Sequence, residues 1–342
     1  MTVTYLSRSP GTGHSIEKLF GAIRRELEKD PSISVEHIRL PFISRGLRSV
    51  WQNLRFIARQ RFSGLVHVTG DAHYAVLALS RWRTLLTVHD CITLEKNRHN
   101  PLRYGLFWLF WFYLPVRHAA VVTVVSEKSR RDLVRYLGKV AKKAVVVSNA
   151  YDPRFVYHAQ SFRKQRPVLL QIGTAPHKNV SRLLESIEGV PCLLSIVGPL
   201  SEDLVRALRD RQILYQNYVN VSQDDMLALY VASDIVTFVS TYEGFGMPIL
   251  EANAVGRVVL TADRLPMRDV AGKAAHLVDP DDSIAIRSGI QRLIDDDLYR
   301  QQLIEEGLRN AATYSAPTAA TRYLSIYQQL ANTRCEAGDV CE

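Results

Sequence analysis

The sequence predicts an α/β protein of two doubly wound lobes facing a central cleft. Three observations predict it. Short Val/Leu/Ile runs alternate with stretches of helical period along the first 150 residues, the pattern of a parallel sheet covered by helices on both faces. The alternation pauses in a polar, aperiodic segment containing Pro153, residues 151–166, and then starts again. A chain of 342 residues is long for one domain and suits two of roughly 100 to 200 residues each.

Taken in order, "VTYL" is the first strand, followed by the helix "SIEKLFGAIRREL". "VEHIRL" precedes a polar, basic helix from about Arg48, and "GLVHVTG" leads to "AVLALS". "TLLTVH" then runs to an aromatic helix, "AVVTVVS" to "EKSRRDLVRYLG", and "AVVVSN" closes an amino-terminal Rossmann-like domain over 1–150. After the linker, a second Rossmann-like domain spans 167–316. It reads as "VLLQIG", a helix over 178–188, "CLLSIVG", a helix over 201–210, a helix from 223, "DIVTFVS", a helix over 247–255 and "VVLTA". Ser222 with Asp225 three residues later has the form of a capping box. A terminal helix over about 317–331 and a fraying tail fill 317–342.

Composition narrows the function classes. The hydrophobic share of 47% and charged share of 23% describe a globular chain with sizeable cores. Residues 1–150 hold 24 Lys and Arg against 10 Asp and Glu, while the remainder hold 19 against 24, so the net +9 comes from a basic front half. A basic lobe attracts phosphates, anionic lipid headgroups or nucleic acid, or serves solubility alone. Cys91, Cys192, Cys335 and Cys341 form no CxxC and no metal spacing with His, which points to reduced thiols in cytoplasm. The amino terminus lacks the apolar core of a signal peptide. The apolar run Tyr104 to Val116 contains Pro115 and is too short to span a bilayer.

The stretch "TYEGFGMPILEANAVGRVV" carries the chemistry. It follows a buried strand, and Pro248 and Gly256 suit the first turn and the end of the helix after it. The bend Glu243-Gly244-Phe245-Gly246 therefore sits at a strand's carboxyl end, where doubly wound folds bind ligands. The first helical amides lack internal partners, that end of the helix dipole is positive, and Gly246 has no Cβ to obstruct a phosphate. Glu243 and Glu251 flank this cradle. An ionised carboxylate accepts from two neighbouring hydroxyls, so one can hold a sugar and the other a ribose diol. The alternative is an ordinary βα turn with solvated glutamates.

The same residues, Glu243 to Gly246, Pro248 and Glu251-Ala252, resemble the E-x7-E signature of retaining glycosyltransferase family 4, the GT-B group 1 glycosyltransferases. "QIGTAPHKNVSRLLESI", "RLPMRDVAGKAAHLVDPDD", "TVVSEKSRRDL" and "VVVSNAYD" extend the resemblance over most of the chain. It implies a metal-independent, retaining transfer of a sugar from a nucleotide diphosphate sugar to a glycan or lipid-linked acceptor, with no cofactor, as in surface polysaccharide assembly. By that resemblance Glu243 contacts the transferred sugar, Glu251 the nucleotide ribose, and Lys178 the diphosphate leaving group, assisted by backbone from Gly244, Phe245, Gly246 and Met247. Three departures stand out. Thr174 follows Gly173 where many members have arginine, which leaves the phosphate clamp to Lys178. Asp269 stands where glutamate is usual and Arg257 where proline is common.

Other candidates carry weaker signals. Arg182, one turn past Lys178, either reaches the cleft or solvates its helix. "SPGTGHS" offers Gly11, Gly13 and His14 to the donor phosphate, or is a plain turn. It fails as a dinucleotide fingerprint because Ile16 takes the third glycine position, which disfavours an NAD-dependent oxidoreductase. His89 and Asp90 end a strand beside the reacting sugar in related enzymes, and orient it, meet the acceptor hydroxyl or serve structure. Asn149 is a hinge-side polar group. "RYGLFWLFWFYLPVRH" is a buried helix or one lying on an anionic membrane surface, the latter placing the protein at the inner face of the membrane. Asp279 to Asp281 and Asp295 to Asp297 imitate metal ligands but read as a helix start and a helix end. The rival classes are a nucleic-acid-binding or DNA-base-glycosylating protein, for which no RNP, zinc or arginine-rich signature exists, and a degenerate nucleotide-sugar binder.

Overall fold

The computed structural model describes residues 1–9 and 15–336. The chain divides into two compact units. Met1–Ala150 and the terminal helix Ala316–Glu336 belong to the first, and Tyr151–Ser315 forms the second. Residues 151–166, expected as a linker, lie against the second unit. The carboxylate of buried Asp234 receives the Arg163 guanidinium at 2.7 Å and the Gln160 amide at 3.1 Å, and Phe162 lies under the Arg300 guanidinium.

In the first unit β1 (Thr2–Ser7), β2 (Ser34–Arg39), β3 (Leu65–Val68), β4 (Thr84–Val88), β5 (Val121–Val124) and β6 (Val145–Val146) form a parallel sheet of order β2-β1-β3-β4-β5-β6. Alternate residues serve opposite cores. Leu6, Val66, Leu86 and Val122 face one cluster with Tyr74 and Phe112. Tyr5, Leu65, Leu85 and Val121 face the other with Phe20, Tyr323 and Tyr327. Fully buried His67 pins the terminal helix to the sheet, with Nδ1 at 2.7 Å from the Tyr327 hydroxyl and Nε2 at 2.7 Å from Thr87 Oγ1.

In the second unit β7 (Val168–Ile172), β8 (Leu193–Val197), β9 (Tyr215–Tyr218), β10 (Ile235–Phe238), β11 (Val258–Ala262) and β12 (His276–Val278) form a second parallel sheet of order β12-β11-β10-β7-β8-β9. The chain winds outward from β7 through β8 to β9, then returns to start β10 on the other side of β7. The strand order reverses between β7 and β10, the place at which doubly wound folds bind ligands. Strand β9 escaped the sequence reading because "YQNY" is a half-exposed edge strand without an apolar run.

Local signals mostly hold. Ser222 and Asp225 form the capping box, Pro248 lies in the first turn of the helix Met247–Val255, and Gly256 ends it in the left-handed region at φ 79°. "AVLALS" is instead covered by a short 3-10 turn, His73–Ala78. The aromatic segment is buried along one side only. Around a π-helical stretch, Phe107–Tyr113, it buries Phe112 and Val116 while Leu102, Leu106 and Phe110 stay exposed. Asp279 and Asp282 order the turn before the helix Ser283–Asp295, and Asp296 caps the next helix, Asp297–Thr313. No group of three metal-ligating side chains assembles among the described residues.

Candidate active site

The loop after β7 is shaped by backbone. Gly173 takes φ 84°, which only glycine adopts without strain, and the Lys178 side chain folds back over it, its Cε within 3.0 Å of where a Cβ would stand. A 3-10 turn, Pro176–Lys178, is followed by Asn179 at φ 60° before the helix Val180–Ile187 begins. The helix begins two residues later than the expected 178–188 and ends at Ile187, so Lys178 itself lies on the 3-10 turn. Hydrogen bonds from both sides staple the loop to the end of β10. Asn179 Nδ2 donates to Val239 O at 3.1 Å, and Thr241 N donates to His177 O at 2.8 Å, with Thr241 Oγ1 also donating to His177 O at 3.3 Å.

That staple brings Lys178 to the bend after β10. Lys178 Nζ lies 2.7 Å from Glu243 Oε1, with the two side chains 18% and 15% exposed, and 4.8 Å above the Phe238 ring. The lysine and glutamate singled out from sequence are thus one ion pair, sited where the strand order of the sheet reverses. Gly246 holds φ 122° at the start of the helix Met247–Val255 and supplies no side-chain cap, so the positive end of the helix dipole is left to other groups. Phe245 is buried and packs edge-on against Tyr314 at 5.9 Å.

Glu251 takes a hydrogen bond from the Tyr230 hydroxyl at 2.5 Å. Tyr230 is fully buried, and burial first, then the Glu251 charge, raises its pKa well above the usual phenol range. It stays a donor and fixes the carboxylate's direction. Sequence reasoning missed Tyr230, as it missed the Asn179 staple and the Phe238 ring, because each partner comes from a distant segment. The Ser240 hydroxyl, buried directly before the bend, finds no partner among the described residues.

The remaining candidates are placed differently. Thr174 donates to Pro199 O at 2.6 Å, tying the loops after β7 and β8 together. Arg182 reaches Asp281 O through its Nη1, and its Nε is buried with no hydrogen-bond partner among the described residues. Arg257 is buried beneath the ends of two helices, its guanidinium donating to Val231 O at 2.9 Å and His158 O at 2.8 Å. Asp269 is exposed.

In the first unit, His89 and Asp90 follow β4. His89 Nε2 lies 2.9 Å from Thr69 O, and burial lowers its pKa, so the ring is neutral at neutral pH with its proton on Nε2. Asp90 Oδ1 accepts from Ile92 N at 2.9 Å, shaping the turn into the helix Ile92–Lys96. Asn149 is half-buried. Gly11, Gly13 and His14 lie outside the described residues.

Two family patterns together match residues 3–309, Glycosyltransferase Family 4 over residues 3–155 and Glycosyl transferases group 1 over 154–309. The chain belongs to the group 1 glycosyltransferases, and its fold is GT-B. It is 27% identical over 273 residues to O-antigen chain mannosyltransferase B of Escherichia coli, covering 72% of this chain and 71% of that protein. The serotype-specific mannosyltransferase WbdA of Escherichia coli is 23% identical over 273 residues, and there the match spans 33% of the longer relative. Among solved structures, sucrose-phosphate synthase from Thermosynechococcus elongatus superposes with a TM-score of 0.78 at 16% identity, covering 97% of this chain and all (100%) of the other. HepE of Anabaena, in complex with UDP and glucose, superposes at 0.74 with 17% identity, covering 96% and 100%.

Proposed function

We propose that the protein transfers a sugar from a nucleotide diphosphate sugar to an acceptor hydroxyl, with retention at the anomeric carbon and without a divalent ion. The observation that carries this reading is the Lys178–Glu243 pair at the point of strand reversal, beside the Gly246 helix start. As the sugar–oxygen bond breaks, its electron pair moves onto the diphosphate and positive charge develops on the sugar ring. Lys178, with the helix end and the backbone of Gly244 to Met247, opposes the first charge, and Glu243 meets the sugar. An arriving diphosphate competes for the ammonium, so Lys178 turns from Glu243 to phosphate and releases the carboxylate for the sugar hydroxyls. The acceptor attacks from the face the leaving group vacates, and its proton passes to the departing phosphate oxygen. No covalent nucleophile is required.

Glu251, aimed by Tyr230, takes the ribose diol. Thr174 and Arg182 border the phosphate site, and His89, Asp90 and Asn149 belong to the acceptor side of the reading, with Gly11, Gly13 and His14 as further phosphate contacts. The mannosyltransferase relatives support mannose as the sugar and an O-antigen-type polysaccharide as the acceptor; a lipid-linked acceptor at the inner face of a membrane is part of the proposal. The test is nucleotide release across UDP, GDP, ADP and TDP sugars, GDP-mannose and UDP-glucose included, with the product's anomeric configuration read by NMR. Release from at least one donor with retained configuration is expected. No release from any donor, or an inverted product, refutes the proposal.

A further inference from the structure

We infer that the outer face of two neighbouring helices in the first unit is a docking surface for an anionic lipid bilayer. The first is the helix Leu47–Ala58 with the loop before it. Fully buried Asn53 pins that loop, accepting from Phe42 N at 3.1 Å and donating to Phe42 O at 2.8 Å and to the Tyr74 hydroxyl at 2.8 Å. The loop is thereby held with Phe42 and Ile43 in solvent, beside Leu47, 83% exposed, and Trp51, 58% exposed. Arg55 stacks over the Trp51 ring at 5.3 Å, and Arg45 and Arg48 are exposed on the same stretch.

The second is the aromatic segment. Leu102, 75% exposed, Leu106 and Phe110 recur every four residues along its outward side, with Arg103 beside them. The indoles of Trp108 and Trp111 are occupied elsewhere, their N–H groups donating to Tyr136 O at 2.9 Å and Asp71 Oδ1 at 3.3 Å. Both helices cover the same core, and Tyr74 joins them, bonded to Asn53 and 4.6 Å from the Trp111 ring.

Charge chooses the occupant. Residues 37–70 contain six arginines (Arg39, Arg45, Arg48, Arg55, Arg59, Arg61), and residues 97–126 contain Arg98, Arg103 and Arg117; neither stretch has an Asp or Glu. Exposed aliphatic and aromatic side chains with arginines on the same stretches match the boundary between acyl chains and anionic headgroups, where apolar groups enter the former and guanidinium groups meet phosphate. A protein partner's surface would ordinarily be met by charges of both signs.

The surface extends the acceptor reading above but does not depend on the donor site. The full chain is floated with vesicles of phosphatidylcholine alone or mixed with phosphatidylglycerol. It should rise with the mixed vesicles, less so as salt is added, and stay behind with phosphatidylcholine alone. Arg48→Gln with Arg55→Gln should weaken vesicle binding roughly 25-fold, at roughly fivefold per arginine, and Leu47→Ser with Trp51→Ser should weaken it more than tenfold. Both pairs should keep wild-type circular dichroism and wild-type nucleotide release from a soluble donor, a readout that fails only if the donor proposal fails. Failure of the wild type to float, or flotation untouched by either pair, overturns the inference. So does a concentration-dependent dimer in sedimentation that Leu47→Ser with Trp51→Ser dissolves, since a second copy would then be the occupant.

Discussion

Replacing Lys178 by alanine separates a structural ion pair from a catalytic one. At 2.7 Å the pair's gross attraction is about 6 kcal/mol for an effective dielectric near 20. Desolvation of two side chains that are each about one-sixth exposed offsets most of this. A net loss of about 2 kcal/mol of stability is expected, between the small value of exposed pairs and the 3–5 kcal/mol of fully buried ones. Loss of the contact with the Phe238 ring contributes roughly 0.5–1 kcal/mol of that. The effect on turnover should be larger. Removing one preorganised group facing a developing charge costs about 3–4 kcal/mol, or roughly 100- to 1,000-fold in kcat. Nucleotide release by saturated enzyme and urea unfolding of the same sample measure the two quantities together. Glu243→Gln should lower kcat as well, and the Lys178→Ala, Glu243→Gln double variant should fall short of the sum of the two, because the residues act as one unit. A Lys178→Ala protein destabilised as described, yet turning over within a factor of five of wild type, would refute the assignment and leave a structural pair.

Three further outcomes follow from the geometry. Tyr230→Phe removes the donor that aims Glu251 and should raise KM for the nucleotide sugar roughly tenfold with kcat nearly unchanged, measured by initial rates. Gly246→Ala places a Cβ on a backbone at φ 122°, where it would approach Ile249 Cδ1 at 3.2 Å; about 1–3 kcal/mol of stability should be lost, read from the urea midpoint, with donor binding weakened in parallel. Burial lowers the pKa values of His67, His73 and His89, so the folded first unit holds them neutral while the unfolded chain takes up protons near pH 6.5. Their contribution is complete above about pH 6.5 and is lost as pH falls toward the depressed folded values, at about 1.4 kcal/mol per pH unit for each ring. Melting temperatures from pH 7 to 5 should fall accordingly, less steeply in His67→Gln.

Much of this protein was legible along the chain because the relevant signals are local. Gly246, Pro248 and Gly256 bracket their helix through backbone preferences that a few neighbouring residues determine, and the Ser222–Asp225 box closes within a single turn. The alternation of apolar runs was enough for two parallel sheets, since buried strands are apolar on both faces. Local pattern failed where the surroundings decide. The edge strand β9 carries no apolar run, and the aromatic segment hides its inner face from any reading of composition. The site depends on neighbours far apart in sequence. Lys178 and Glu243 are 65 residues apart and meet because β10 returns to pair with β7, while Tyr230 reaches Glu251 from another helix. Sequence therefore determined which side chains could do the chemistry, and the order of strands in the sheet decided which of them touch, because a hydrogen bond needs a separation near 3 Å that no spacing along the chain specifies.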